Sequence, residues 1–173
     1  NNVRVEYKDM DPIVDPVTWI AETLEPKSYG VDGAISAYRS NSDTWIFATM
    51  RRGGRSVYAF DVSDPADPAL KWKVGCPNNF QTDGSVSDTG CTTGFTGIGQ
   101  TWSAPKALKA PGYSVSGAGT EKPMLIMGGG YDICEDGDPH TCSSTKGNKV
   151  YILDADDGTL KKTLSTDRAV VAD

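Results

Sequence analysis

The sequence predicts an all-β chain, part of a β-propeller built from blades of four antiparallel strands, and three observations carry that reading. First, one strand unit occurs twice. Val57-Tyr58-Ala59-Phe60-Asp61 followed by Asp64 matches Val150-Tyr151-Ile152-Leu153-Asp154 followed by Asp157 in spacing. Second, each copy sits in the same setting. An apolar strand ending in glycines precedes it (45–50 with Gly53-Gly54, and 124–127 with Gly128-Gly129-Gly130), and a shorter amphipathic strand follows (70–74 and 159–164). Such self-similarity marks a repeating β architecture. Third, 19 Gly, 10 Pro and 38% hydrophobic residues suit many short strands joined by turns better than packed helices.

Taken in order, Val3-Arg4-Val5-Glu6-Tyr7 alternates as a short strand, and Pro12 and Pro16 end it. Asp15 then caps one short N-terminal helix with Pro16 at its first position. Val17, Ile20, Ala21 and Leu24 form its apolar face, and Pro26 stops it. That face reads as packing on neighbouring strands, and residues 1–28 lead into the propeller. The first blade spans 29–75, with strands at 34–38, 45–50, 57–62 and 70–74. Asn41-Ser42-Asp43, Gly53-Gly54 and the Asp/Pro-rich 64–68 supply its turns. Four strands in about 45 residues is the size of one blade. Residues 76–100 form an insertion and linker. The second blade spans 101–165. Its first strand begins at Thr101-Trp102-Ser103-Ala104, where Ser103-Ala104 echoes Ser36-Ala37, and continues through 106–108 to a flexible loop at 112–119. Strands at 124–127, 149–154 and 159–164 complete it, and 166–173 reads as the start of a third. Two blades and a fragment cannot close a ring of roughly four to eight. With no initiator Met and no signal-peptide pattern at Asn1, the chain reads as a processed product or an excerpt.

Net charge and cysteine usage bound the partners. A formal charge of −6 argues against a nucleic-acid backbone or an anionic membrane surface. No apolar run approaches the roughly 18–20 residues of a membrane span. Cys76 and Cys91 flank one Gly/Ser/Asp-rich loop, and Cys134 and Cys142 bracket another. Neither pair has Cys-x-x-Cys spacing, and the lone His140 does not complete a zinc quartet. Two local disulfides, Cys76–Cys91 and Cys134–Cys142, are therefore expected, which implies an oxidising compartment.

Four strings occur in a fixed order: Tyr29-Gly-Val-Asp32-Gly33; Arg51-Arg-Gly-Gly54 with Tyr58-Ala-Phe-Asp61-Val-Ser-Asp64-Pro65; Gly99-Gln-Thr-Trp102-Ser-Ala-Pro105; and Met127-Gly-Gly-Gly-Tyr131. This series, covering about Tyr29 to Asp173, resembles the C-terminal propeller of the PilC/PilY family of type IV pilus biogenesis factors and tip adhesins. The resemblance implies a modified, quinoprotein-like propeller in a secreted protein that passes through the periplasm to the pilus tip and outer membrane. There the family promotes pilus extension, opposes retraction and adheres to surfaces or host cells. The implied partners are minor pilins at the tip, a host or abiotic surface receptor, and the remaining blades of the same protein. The family's propeller also carries an EF-hand-like calcium loop of Asp-x-Asp-x-Asn/Asp-x-x-x-Asp type. Asp154-Ala-Asp156-Asp157-Gly158 has too few correctly spaced oxygens to match it, so the family's site is expected beyond Asp173.

Asp132, Glu135, Asp136 and Asp138 crowd the Cys134–Cys142 loop. They are a calcium candidate because calcium takes six to eight oxygens; a solvated acidic insertion is the favoured reading. Arg51, Arg52 and Arg55 read as the solvated flank of a tight turn, with an acidic partner as the alternative. Trp19, Trp45, Trp72 and Trp102 read as packing between blades, and Asp61 and Asp154 as acceptors for turn amides. The competing function is a periplasmic PQQ-dependent quinoprotein dehydrogenase, whose propeller shares the Val-Tyr-x-Leu-Asp-x-x-x-Gly strand ending. It needs a convergent set of quinone ligands, a catalytic carboxylate and often an adjacent Cys-Cys pair, and the sequence offers none of these. No Ser/His/Asp or metal constellation is visible either, so the chain reads as a non-enzyme. A non-pilus structural cell-surface propeller is the third reading, and a von Willebrand-like domain ahead of residue 1 would favour the pilus instead.

Overall fold

A computed structural model describes residues 29–81, 84–114, 121–136 and 142–171. The strand and helix expected within 1–28, together with Trp19, Asp138 and His140, lie outside the described residues. Among the described residues eight strands form two four-stranded sheets. The first holds β1 (Ile35–Arg39), β2 (Thr44–Thr49), β3 (Arg55–Asp61) and β4 (Ala69–Cys76). The second holds β5 (Lys106–Ser114), β6 (Glu121–Gly128), β7 (Lys149–Asp154) and β8 (Leu160–Ser165). Each sheet is an antiparallel meander in chain order, β1-β2-β3-β4 and β5-β6-β7-β8. Among the described residues two 3₁₀ turns, Arg51–Gly53 and Ile133–Asp136, interrupt the β structure. No helix among the described residues is long and apolar enough to cross a membrane. The chain is therefore all-β, as the repeat predicts, and the described residues form two sheets rather than a closed ring.

The repeat holds in three dimensions. Its two copies are β3 and β7, each the third strand of its sheet. A β-bulge falls at the same repeat position in both, between Ala59 and Phe60 and between Ile152 and Leu153. The extra residue is a lysine on the fourth strand in each case: Phe60 pairs Leu70 and Ala59 pairs Trp72, skipping Lys71, while Leu153 pairs Leu160 and Ile152 pairs Lys162, skipping Lys161. The turns match too. Asp61 accepts the Ser63 amide at 3.0 Å and Asp154 the Asp156 amide at 2.8 Å. Asp64 accepts from Ala66 N–H, and Asp157 from Thr159 N–H, both two residues on. An aspartate that bonds the amide two residues later makes an Asx turn, which ends the strand and sets the chain for its return.

The sheets pack face to face through one shared core. Trp45, Phe47, Val57, Ala59, Trp72 and Val74 from the first sheet meet Leu125, Met127, Tyr151 and Leu153 from the second, with Phe95 and Ile98 of the linker between. Phe95 stacks on Tyr151 with ring centroids 5.0 Å apart, and Trp72 Nε1 donates to the Ala155 carbonyl at 3.1 Å. Gly158 closes the joint. Its φ of +74° suits glycine, and a Cβ there would sit 2.8 Å from the Trp72 ring. Each fully buried large apolar side chain contributes about 1.5–3 kcal/mol, so this core outweighs every polar link between the sheets.

Three local expectations differ from what forms. Residues 101–104 are not strand; Gln100 makes one isolated bridge to Tyr131, and β5 starts at Lys106. Gly112, expected in a loop, lies inside β5. Residues 168–171 make no strand, and Val170 instead accepts from Gly130 N–H and donates to the Gly147 carbonyl. At 101–104 and 168–171 the backbone hydrogen bonds go to neighbouring turns instead of a ladder.

Candidate functional site

Parts of the strings that carry the family resemblance, Gly33, 51–54, 99–103 and 128–131, are far apart in sequence yet meet at one end of the two sheets, while 58–65 runs along β3 to its other end. Gly33 N–H, just ahead of β1, donates to Thr49 O at the end of β2. The segment 99–103 threads between the glycine turns of the two sheets. Thr101 accepts from Arg51 N–H at 2.9 Å and donates to Gly54 O at 3.1 Å, while its hydroxyl accepts from Met50 N–H at 2.9 Å. On the other side, Gly99 N–H donates to Gly129 O, and Gln100 and Tyr131 exchange both backbone bonds at 2.8 Å. Ser103 Oγ accepts from Gly128 N–H. The approach is close enough that a Cβ on Gly130, whose φ is +97°, would lie 2.1 Å from Gln100 O.

This junction encloses a cavity of about 240 Å³ lined by Arg52, Gln100, Trp102, Tyr131, Ile133, Asp136 and Val171. Gln100 is 2% exposed, and its amide nitrogen bonds Asn79 Oδ1 and Arg52 O, tying the wall to the Cys76–Cys91 insertion. Trp102 was expected among strand-borne core residues. It lies in the linker instead, with the Arg51 guanidinium 4.3 Å above its ring and Tyr131 tilted against it. Arg51 holds a φ of 50°, a left-handed conformation that costs a non-glycine residue on the order of 1–3 kcal/mol. The cation–π contact and the bond to Thr101 offset that strain. Tyr131 donates its hydroxyl hydrogen to Asp136, and burial, then this bond, raises the phenol's pKa.

Arg55 reverses its expectation. It is fully buried rather than solvated. Its guanidinium donates to Ile98 O at 2.7 Å, Thr96 O at 3.1 Å, Ser87 O at 3.2 Å and Asp88 at 2.7 Å. Asp88 also pairs with Lys146 at 2.6 Å. One carboxylate thus links β3, the first insertion and the segment after Cys142. Burial pushes the Asp88 carboxyl up, but Lys146 and Arg55 together hold it below the ordinary 3.8.

Cys76 is bonded to Cys91 and Cys134 to Cys142. Their sulfurs also belong to two groups of metal-ligating residue types, Cys76 with Asp88 and Cys91, and Cys134 with Glu135 and Cys142. A sulfur held in a disulfide is not a thiolate ligand. The acidic calcium candidates do not converge. Asp132 is 3% exposed, and its two oxygens accept from the Cys134, Thr145 and Lys146 amides and from Ser144 Oγ. Asp136 faces Tyr131. A calcium ion takes several oxygen ligands; at Asp132 the oxygens already accept loop N–H donors, and Asp138 lies outside the described residues. Asp132 organises the loop instead. Sequence reading missed the Arg55–Asp88–Lys146 chain, although one signal was present: Arg55 shares its strand parity with Val57 and Ala59, which places all three on one face.

No protein-family model matches the chain, nor does any curated protein sequence. Among solved structures, it is similar to the crystal structure of the Pseudomonas aeruginosa PilY1 C-terminal domain, at 18% identity and a TM-score of 0.47, over 76% of this chain and 20% of that one. The chain therefore spans about a fifth of that chain's length.

Proposed function

We propose that the chain is part of a type IV pilus tip-associated adhesin and assembly factor that works by binding rather than by chemistry, with its two sheets as neighbouring blades of a β-propeller. One observation carries this reading: the glycine-bearing parts of three of the strings that resemble the PilC/PilY family, 51–54, 99–103 and 128–131, are the residues that build the junction between the sheets. Two insertions stapled by disulfides flank that junction, and rigid scaffolds commonly display binding function on such loops. Disulfides also support a periplasmic or extracellular setting. On this reading the partners are minor pilins and a host or abiotic surface receptor, and the chain neither binds quinone nor turns over a substrate.

Deletion of the parent gene tests the proposal, with surface pili, adhesion and twitching scored with and without the retraction motor. Fewer surface pili that return when the motor is also removed are expected. Normal piliation, motility and adhesion in the deletion strain would refute it. Stoichiometric quinone uptake by the purified protein, followed by absorbance after dialysis, would favour the dehydrogenase.

A further inference from the structure

Asp138 and His140 of the second insertion stand together in Gly137-Asp138-Pro139-His140. The chain has five Asp–Pro bonds, at 11–12, 15–16, 64–65, 67–68 and 138–139. It has one histidine, and that residue directly follows the last of the five. An Asp–Pro bond is open to attack by its own side chain. The carboxylate reaches the main-chain carbonyl carbon of the same residue by closing a five-membered ring, and a nucleophile held this close acts at a high effective concentration. Proline supplies the leaving group, since its tertiary amide departs as a basic secondary amine once the nitrogen takes a proton. Imidazole is the side chain suited to give that proton near neutral pH. Gly137 adds no side chain beside the reacting carboxyl.

We propose that the chain cuts its own backbone between Asp138 and Pro139. A carboxylate oxygen of Asp138 attacks the Asp138 carbonyl carbon, the bond from that carbon to the Pro139 nitrogen breaks, and the nitrogen takes a proton from the His140 imidazolium. Water then adds across the resulting cyclic anhydride and returns a proton to the imidazole. Asp138 becomes a new C-terminus and Pro139 a new N-terminus; one water is consumed and nothing is oxidised or reduced. The described residues fit a cut chain that stays in one piece. The bond lies inside the covalent ring closed by Cys134 and Cys142, 8 residues apart, so the disulfide keeps both new ends linked. Both feet of that ring are anchored without the severed bond. Asp132 accepts the Cys134 amide at 3.1 Å from one side, and the Thr145 and Lys146 amides at 2.9 and 3.0 Å from the other. Lys146 in turn holds Asp88 and the Thr96 carbonyl, and β6 pairs with β7. The Asp64–Pro65 bond is protected by contrast. Asp64 Oδ1 accepts Ala66 N–H at 2.9 Å and Asp64 O accepts Asp67 N–H at 3.1 Å, so nucleophile and target are both tied into a turn. This inference does not rest on the pilus reading, which the experiment below leaves untouched.

Intact mass and electrophoresis of the whole 173-residue chain, incubated in mildly acidic buffer and sampled over days, read the cut. Without reductant, a single species heavier by one water is expected. With reductant it separates into 1–138 and 139–173, the second piece beginning at Pro139. Asp138→Ala is expected to stay whole, and His140→Gln to slow the cut on the order of 100-fold. The wild-type rate is expected to be independent of chain concentration and of protease inhibitors, as self-cleavage requires. A wild-type chain that stays whole would overturn the inference. So would cutting at Asp64–Pro65 as fast as at Asp138–Pro139, which marks ordinary acid lability, an unaltered rate in His140→Gln, or a rate that inhibitors abolish.

Discussion

Arg55 shows how far one side chain can set the loop end. A buried guanidinium is stable only where its donors are met, and here carbonyls of the linker and insertion meet them together with Asp88. Arg55→Met keeps much of the apolar stem but strands the Ile98 and Thr96 carbonyls. It is expected to destabilise the chain by on the order of 3 kcal/mol in denaturant unfolding. Asp88→Asn, whose carboxylate is partly exposed, should cost about 1 kcal/mol. An unchanged unfolding midpoint for Arg55→Met would mean that the insertion is not held through this residue. Acid stability follows from the same groups. The Lys71 ammonium beside Asp156, helped by Lys122, holds that carboxyl below its ordinary 3.8, as Lys146 and Arg55 do for Asp88. A carboxyl lowered on folding adds stability above the unfolded pKa of 3.8, and that stability is lost as pH falls through the folded value. Unfolding free energy should therefore drop below about pH 4, and Asp156→Asn should flatten part of that slope. Both carboxyls are partly exposed, so each step is well under about 1 kcal/mol.

At the scale of elements, the repeat made the sheets legible in the sequence. Strand spacing, glycine turns and the paired Asp-x-x-Asp endings placed seven of the eight strands among the described residues to within a few residues and missed the bounds of β5, because a period of two and a turn aspartate act locally. What was not legible depends on contacts distant in sequence. Thr101 and Trp102 look like the start of a strand, but Arg51, Gly54 and Gln100 take the backbone bonds that a ladder would have used. Asp132 reads as one acid among several in its loop, and only the fold brings the amides of Thr145 and Lys146 onto it. The disulfides were readable from loop composition. In the chain-entropy model, closing the Cys76–Cys91 loop, 15 residues apart, stabilises by roughly 3 kcal/mol, and the Cys134–Cys142 loop, 8 apart, by roughly 2.5 kcal/mol. Removing the first pair is expected to cost more than that difference suggests, since Cys76 sits at the buried end of β4 and its loop carries Asp88. Unfolding of Cys76→Ala/Cys91→Ala beside Cys134→Ala/Cys142→Ala measures it. Equal losses would show that the first insertion adds nothing beyond loop closure.

For the molecule as a whole, the claim that organises everything else is that two repeats share one joint, with the linker 99–103 locked between them as part of it. The binding reading and the loop display both presuppose that joint. Amide hydrogen exchange resolved to single residues tests it most directly, since protection reports the free energy of opening each segment. The amides of Arg51, Gly99, Gln100, Thr101 and Tyr131, all bonded across the junction, are expected to exchange as slowly as those of β3 and β7, in one cooperative unit. Exchange of these amides at loop rates, or one sheet opening well before the other, would contradict a shared joint.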